Sequence, residues 1–290
     1  MRDHIRNHGR RGGLQTTIGL SQVVVGLVIL AAASAFGGEA REPARQAGES
    51  CHIARSTLVE TDQPTREITT EEMVALLPSQ RDVVGATLVF DARPYEEFAL
   101  SHIPGALNVS PKPGLPMSQY TSDVAEIDKL AGHDRGRLIV LYCNGPFCGK
   151  SKRLASDLLA AGYDNVVRYQ LGIPVWRALG HPAQVEGSAI WSTLAKDKTA
   201  VVIDAREPEA FRKGTVPQAR NVQAPDVAKA KDDGRLPMLD HNTRIFVIGN
   251  DEGEARAAAT EIAHNAFQNV AYYAGSVEDL VKSRPRSGSR

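Results

Sequence analysis

The chain reads as an α/β protein built twice: two consecutive units of one fold, each a central parallel sheet flanked by helices. Two observations predict this. Short β-branched runs such as Val201-Val202-Ile203 alternate with segments whose apolar residues recur at helical spacing, as expected of strands joined by helical crossovers. The segment from Val201 to Phe211 also repeats an earlier one at a constant offset of 113 residues, which pairs Asp91 with Asp204, Arg93 with Arg206, Pro104 with Pro217 and Asn108 with Asn221. A third observation puts a different kind of segment ahead of both units, an uncharged stretch from Gly12 to Gly38 that follows Arg2, Arg6, Arg10 and Arg11.

In chain order, residues 1–35 come first. Their apolar heart, Val23 to Leu30, and the Ala33-Ser34-Ala35 triplet have the shape of a secretory signal peptide; Leu14 to Phe36 is also long enough for an uncleaved membrane anchor. Under either reading the basic flank stays inside and the folded units lie outside the cytoplasm, exported to a periplasmic space or anchored facing it. Arg10-Arg11 raises twin-arginine export, although Gly12-Gly13 follows. Residues 36–65, rich in Gly, Ala, Glu, Arg and Pro, read as a flexible tether.

The first unit is assigned to residues 66–182. Thr69 and Glu72 form a capping-box signature before Met73-Val74-Ala75-Leu76-Leu77, which starts a helix there. Thr87-Leu88-Val89-Phe90 and Leu138-Ile139-Val140-Leu141-Tyr142 are apolar enough to be buried strands. Ser151 to Ala161 carries Leu154, Ala155, Leu158 and Leu159 on one helical face. The second unit, residues 183–283, repeats the pattern: Arg244 to Ile248 matches the strand before Cys143, and Asn269-Val270 matches Asn165-Val166. Residues 284–290 read as a frayed basic tail.

The chemical signal is concentrated at Cys143. A buried strand that delivers a thiol into a Gly-containing loop at a helix N-terminus surrounds the sulfur with backbone N–H groups and the positive end of a helix dipole. Such surroundings lower a thiol pKa from about 8.5 and favour the thiolate. An accessible, anionic Cys143 is therefore expected as nucleophile. Asn144, Gly145, Pro146, Phe147, Cys148, Gly149, Lys150 and Ser151 are expected to form an anion-binding loop around it, with Lys150 adding a positive charge. A structural cysteine is the competing reading. In the second unit Gly249 takes the cysteine's place, and Asn250-Asp251-Glu252-Gly253-Glu254 offers acids where the first loop offers a cation, so that copy is expected to be inactive.

Upstream of this strand, Asp91-Ala92-Arg93-Pro94-Tyr95-Glu96-Glu97-Phe98 is followed by His102-Ile103-Pro104-Gly105-Ala106, and Gly172 and Trp176 come after the cysteine. In this order the residues resemble the rhodanese family, here as tandem rhodanese-like domains with a degenerate C-terminal copy. The resemblance implies a sulfurtransferase that forms a Cys143 persulfide. It also implies a small-molecule sulfur donor such as thiosulfate, a thiol, cyanide or protein sulfur acceptor, and no cofactor. Asp91, Arg93 and His102 are expected to be a structural polar scaffold, with His102 as a general base left open. Two departures stand out: Ser101 where the family has Gly, and Ser151 eight residues after Cys143 rather than six, a wider loop. A Cys-loop phosphatase or arsenate reductase, and a non-catalytic sulfur carrier or partner-docking module, stay open as alternatives.

Formal net charge is +0. Loss of residues 1–35, with four Arg and one Asp, would leave about three net negative charges, which gives no reason to expect nucleic-acid binding. Cys143 and Cys148 lack a second ligand pair at zinc spacing, so no metal site is expected. A membrane partner is expected only if the N-terminal segment is uncleaved. Three cysteines, Cys51, Cys143 and Cys148, fit an oxidising compartment poorly unless paired. A Cys143–Cys148 disulfide is sterically conceivable and would silence the nucleophile; Cys148 as a resolving thiol, as a sulfur acceptor or as packing remain its other readings.

Overall fold

A computed structural model describes residues 63–77, 87–114, 116 and 120–285. The N-terminal segment 1–35, nearly all of the tether, Cys51 and the last residues of the tail lie outside the described residues. Among the described residues no helix is long and apolar enough to cross a membrane.

The first unit is built on strands β1 (Arg66–Glu67), β2 (Leu88–Asp91), β3 (Leu107–Asn108), β4 (Ile139–Tyr142) and β5 (Val166–Tyr169). Its helices are α1 (Thr70–Leu76), α2 (Tyr95–Leu100), α3 (Asp123–Leu130), α4 (Gly149–Ala160) and α5 (Gly172–Ala178). The second comprises β6 (Ala183–Val185), α6 (Gly187–Lys196), β7 (Val201–Asp204), α7 (Pro208–Lys213), β8 (Arg220–Asn221), a short 3₁₀ turn (Ala224–Asp226), α8 (Val227–Asp232), β9 (Ile245–Gly249), α9 (Glu252–His264), β10 (Val270–Ser276) and α10 (Val277–Lys282). The strand orders are β1-β5-β4-β2-β3 and β6-β10-β9-β7-β8, the same topology twice, and all strand pairs are parallel. Parallel strands need both faces covered, which is why β4 and β9 are buried along their whole length.

Local signals act as the residue types dictate. The α1 capping box closes reciprocally: Glu72 N–H donates to Thr69 Oγ1 at 3.2 Å and Thr69 N–H to Glu72 Oε2 at 2.8 Å. Helix α4 begins at Gly149 rather than Ser151, because Cys148 stands at the N-cap and Gly149, Lys150 and Ser151 form the first turn. Gln63, inside the stretch expected to be a tether, is held to the first unit by a hydrogen bond from the Arg168 guanidinium. At the other end of the described residues, the Arg284 guanidinium lies 5.5 Å from the centre of the Trp191 ring.

The two units are fused by packing. One apolar cluster runs from Val89, Phe98, Val140 and Trp176 of the first to Val185, Ile190, Trp191 and Leu280 of the second. Its polar seam is short. His102 and Gln184 exchange both backbone hydrogen bonds (2.9 and 2.8 Å), Gln184 Oε1 accepts from Gly105 N–H at 3.1 Å, and Glu186 N–H donates to the Ala99 carbonyl at 2.9 Å.

Candidate active site

Register shows which position in the second unit answers to Cys143. Asp91 lies beside Tyr142 across β2 and β4, and its repeat partner Asp204 lies beside Ile248 across β7 and β9. The next residues, Cys143 and Gly249, are therefore equivalent, each at the carboxyl end of the middle strand of its sheet, where open parallel sheets place their binding crevices.

After Cys143 the chain makes a tight return. Gly145 adopts φ +102°, and its carbonyl accepts the Cys148 N–H at 3.0 Å. This folds Cys148 back over Cys143, and the two are joined in a disulfide with Cα atoms 6.1 Å apart. Cys143 is 2% exposed, whereas Cys148 is only half-buried. The accessible thiolate expected from the sequence is thus not the form seen: the oxidised loop covers the sulfur and leaves it no proton to titrate. Underneath, Gly172 takes φ +65° against the loop, and the Cys143 carbonyl accepts the Ile173 N–H at 3.2 Å. A Cβ at Gly172 would sit 2.2 Å from the Cys143 carbonyl oxygen and 2.6 Å from the Gly145 nitrogen, so the absence of a side chain there is what lets the loop lie down.

The remaining loop residues separate. Asn144 is exposed and its Nδ2 donates to Glu97 Oε2 at 2.6 Å; Glu97 in turn lies 3.8 Å from the Arg93 guanidinium. Pro146 is partly covered, and Phe147 projects almost fully into solvent, 98% exposed. Gly149 is the first residue of α4, and Cys148 supplies no side-chain cap, so the first-turn N–H groups of this 12-residue helix receive no oxygen from their N-cap side chain. Lys150, with Arg153 one turn on, lines a cleft of about 310 Å³ shared with Tyr95, Ser110 and Tyr120. Ser151 does not face the loop's open side: it is buried, and its hydroxyl lies 3.4 Å from an Arg168 guanidinium nitrogen that can donate to it.

Asp91 and Arg93 form a buried fork. Arg93 Nε and Nη2 donate to the Asp91 carboxylate at 2.6–3.0 Å, and Nη2 also donates to the Ser101 carbonyl at 2.5 Å. Burial opposes the Arg93 charge, but the hydrogen bonds and charge of Asp91 outweigh it and hold the guanidinium pKa above its ordinary value. Asn108 Nδ2 closes the corner on the carbonyls of Asp91 and Arg93 (3.0 and 2.8 Å). His102 is stacked on Phe98 at 3.9 Å, with Nδ1 2.9 Å from the Phe98 carbonyl. Desolvation pushes its pKa down to about 4, which leaves it neutral near pH 7.

The second unit keeps the fork and loses the loop. Arg206 grips Asp204 at 2.9–3.3 Å and the Gly214 carbonyl at 2.6 Å, while Asn221 holds the carbonyls of Asp204 and Arg206. Only Asn250 and Asp251 separate Gly249 from α9, and both neighbouring amides are taken by carboxylates: Asn250 N–H donates to Glu254 Oε2 at 2.7 Å and Glu254 N–H to Asp251 Oδ1 at 3.0 Å. The tie between Asn144 and Glu97 escaped the sequence reading, since a contact across 47 residues leaves no local signal. Arg153 was visible only as one cation among several. Among the described residues no group of three or more His, Cys, Asp or Glu is gathered to hold a metal ion.

Comparison with known proteins adds four findings. The family model for the rhodanese-like domain matches residues 69–179 and 189–283, well over half of the chain. The HTH-type transcriptional regulator Rv0324 of Mycobacterium tuberculosis is 32% identical over 146 residues, which cover 48% of this chain and 54% of that protein, so the chain spans about half the length of this relative. Among solved structures, a thiosulfate sulfurtransferase from Pseudomonas aeruginosa aligns at 21% identity over 78% of this chain and 46% of its own, with a TM-score of 0.33. Wild-type EanB aligns at 18% identity over 78% and 62%, with a TM-score of 0.30.

Proposed function

Because this chain belongs to the rhodanese-like domain family, we propose that it is a sulfurtransferase whose first unit carries sulfur on Cys143. One observation carries the reading: the cysteine emerges from the middle strand into a loop that ends on a helix whose N-cap gives no side-chain oxygen. An anion placed there meets first-turn amides and the positive end of the helix. Once the bridge to Cys148 is reduced, the Cys143 thiolate attacks the outer sulfur of thiosulfate or a persulfide. A new S–S bond forms, sulfite or a thiol leaves with the electron pair of the old one, and the persulfide then passes its outer sulfur to cyanide or a thiol. The same amides that bind the donor stabilise the anionic persulfide. His102 takes no part as a base in this scheme, being buried, made a weak base by a pKa pushed down to about 4, and committed to the Phe98 carbonyl through Nδ1.

The second unit is silent in this proposal, since its amides are already occupied by Glu254 and Asp251. A location outside the cytoplasm belongs to the same proposal and is supported by the N-terminal sequence. The test is thiocyanate formation by reduced protein from thiosulfate and cyanide. Cys143→Ser should lose on the order of a thousand-fold or more. Full turnover by that variant would end the assignment.

A further inference from the structure

The catalytic reading uses one cysteine, yet the loop holds two, five residues apart and already bonded. Their Cα separation of 6.1 Å lies within the range a disulfide spans without moving backbone, about 4.4–6.8 Å. Cys148 is held in place to do this: its N–H is bonded to the Gly145 carbonyl, and it stands at the N-cap position of α4. From that position its sulfur reaches the Sγ of Cys143 itself.

We propose, resting on the sulfurtransferase reading, that Cys148 resolves the Cys143 persulfide and releases its outer sulfur as sulfide. The Cys148 thiolate attacks Cys143 Sγ, forming the Cys143–Cys148 bond and breaking the bond from Cys143 to the outer sulfur. That sulfur leaves with the electron pair and takes the proton from the Cys148 thiol, departing as hydrosulfide. The sulfane sulfur is reduced by two electrons, and the two cysteine thiols are oxidised to the disulfide. The bridged form described above is then the product state of this half-reaction.

Resetting the site needs a dithiol reductant, and burial dictates where it acts. Cys143 is 2% exposed and Cys148 is only half-buried, so an incoming thiolate meets Cys148 and expels Cys143 as thiolate. Each reset thus returns the nucleophile in its reactive form. The chain thereby reduces thiosulfate sulfur to sulfide with its own two thiols, a step that a one-cysteine loop cannot complete without an external thiol, and the dithiol serves to reset the bridge.

A single-turnover experiment on the full chain tests this. The protein is reduced with a phosphine, freed of it, and mixed with equimolar thiosulfate under anaerobic conditions with no dithiol and no cyanide. Wild type should release one sulfite and one sulfide per chain and finish two hydrogens lighter by intact mass, with Cys143 joined to Cys148 in the peptide map. Sulfide release should resume when dithiothreitol is added. Cys148→Ser should release sulfite, end one sulfur atom heavier, and release about ten-fold less sulfide or lower. A wild-type chain that releases sulfite but keeps the extra sulfur and frees no sulfide would overturn the resolving role while leaving sulfur transfer intact. No sulfite from either protein would overturn both. If Cys148→Ser does not fold, the wild-type sulfide yield and mass decide alone.

Discussion

Gly172→Ala should cost far more than Gly162→Ala, a glycine-to-alanine change that also falls at a positive φ, and the excess measures how closely the loop is seated. Two effects add. Gly172 has φ +65°, a left-handed conformation that costs an alanine about 1–2 kcal/mol. The new Cβ would also lie 2.2 Å from the Cys143 carbonyl oxygen and 2.6 Å from the Gly145 nitrogen. These are backbone atoms that cannot rotate aside, so the loop or α5 must shift. Such overpacking costs about 1–3 kcal/mol, and losing the Ile173 N–H bond to the Cys143 carbonyl costs about 1 kcal/mol more. The total is about 3–6 kcal/mol. Gly162→Ala is the control: φ is +89°, and nothing lies within 4 Å of its Cβ, so only the conformational cost of about 1–2 kcal/mol applies. Urea unfolding of both variants, reduced, gives the difference, and thiosulfate turnover should fall in Gly172→Ala alone. Equal destabilisation of the two variants would refute the argument that the loop rests on this residue.

Two further outcomes follow from the buried polar groups and the second loop. His102 ordinarily titrates near 6.5 and is held at about 4 in the fold, so its contribution is full above pH 6.5 and is lost as pH falls toward 4. Between pH 7 and pH 5 wild type should lose about 2 kcal/mol more stability than His102→Gln in denaturant titrations, and parallel pH profiles would show that the imidazole is not desolvated. Gly249→Cys in a Cys143→Ser background should form no thiocyanate, because a Cβ there meets Ala255 N at 3.0 Å and Glu254 Oε2 at 3.1 Å and finds its amides taken; measurable turnover would show that the shorter loop is not what silences this unit.

The parallel sheets, their duplication and the place of Cys143 were legible because each rests on local or periodic signals. Buried strands are continuous apolar runs, and the repeat carried Asp91, Arg93 and Asn108 onto Asp204, Arg206 and Asn221 with spacing intact. What sequence could not show depends on how the chain returns on itself. The turn at Gly145 that brings Cys148 over Cys143, the start of α4 two residues early, and the inward direction of Ser151 are set by tertiary contacts. The shared core between the units was equally hidden, because apolar residues such as Phe98 and Ile190 look the same whether they face their own sheet or the neighbouring unit.

The duplicated corner serves as an internal control on which residues serve the chemistry. Asp–Arg fork, Asn clasp and the carbonyl eight residues beyond the arginine recur at nearly equal distances in a unit that has no cysteine. In the proposed reading a group kept for catalysis has no work there, whereas a group kept to tie a strand end to the following turn has the same work in both. Removing one partner of such a buried pair costs about 3–5 kcal/mol wherever it sits, so the fork belongs to the fold. The units differ instead between the middle strand and the next helix. One offers a thiol, five intervening residues and a helix without a side-chain cap; the other offers glycine, two residues and a carboxylate cap. In the proposed reading the chemistry therefore turns on the length and capping of a single loop, and what the second unit lends the first is the apolar surface it buries and the short hydrogen-bonded seam at Gln184 and Glu186.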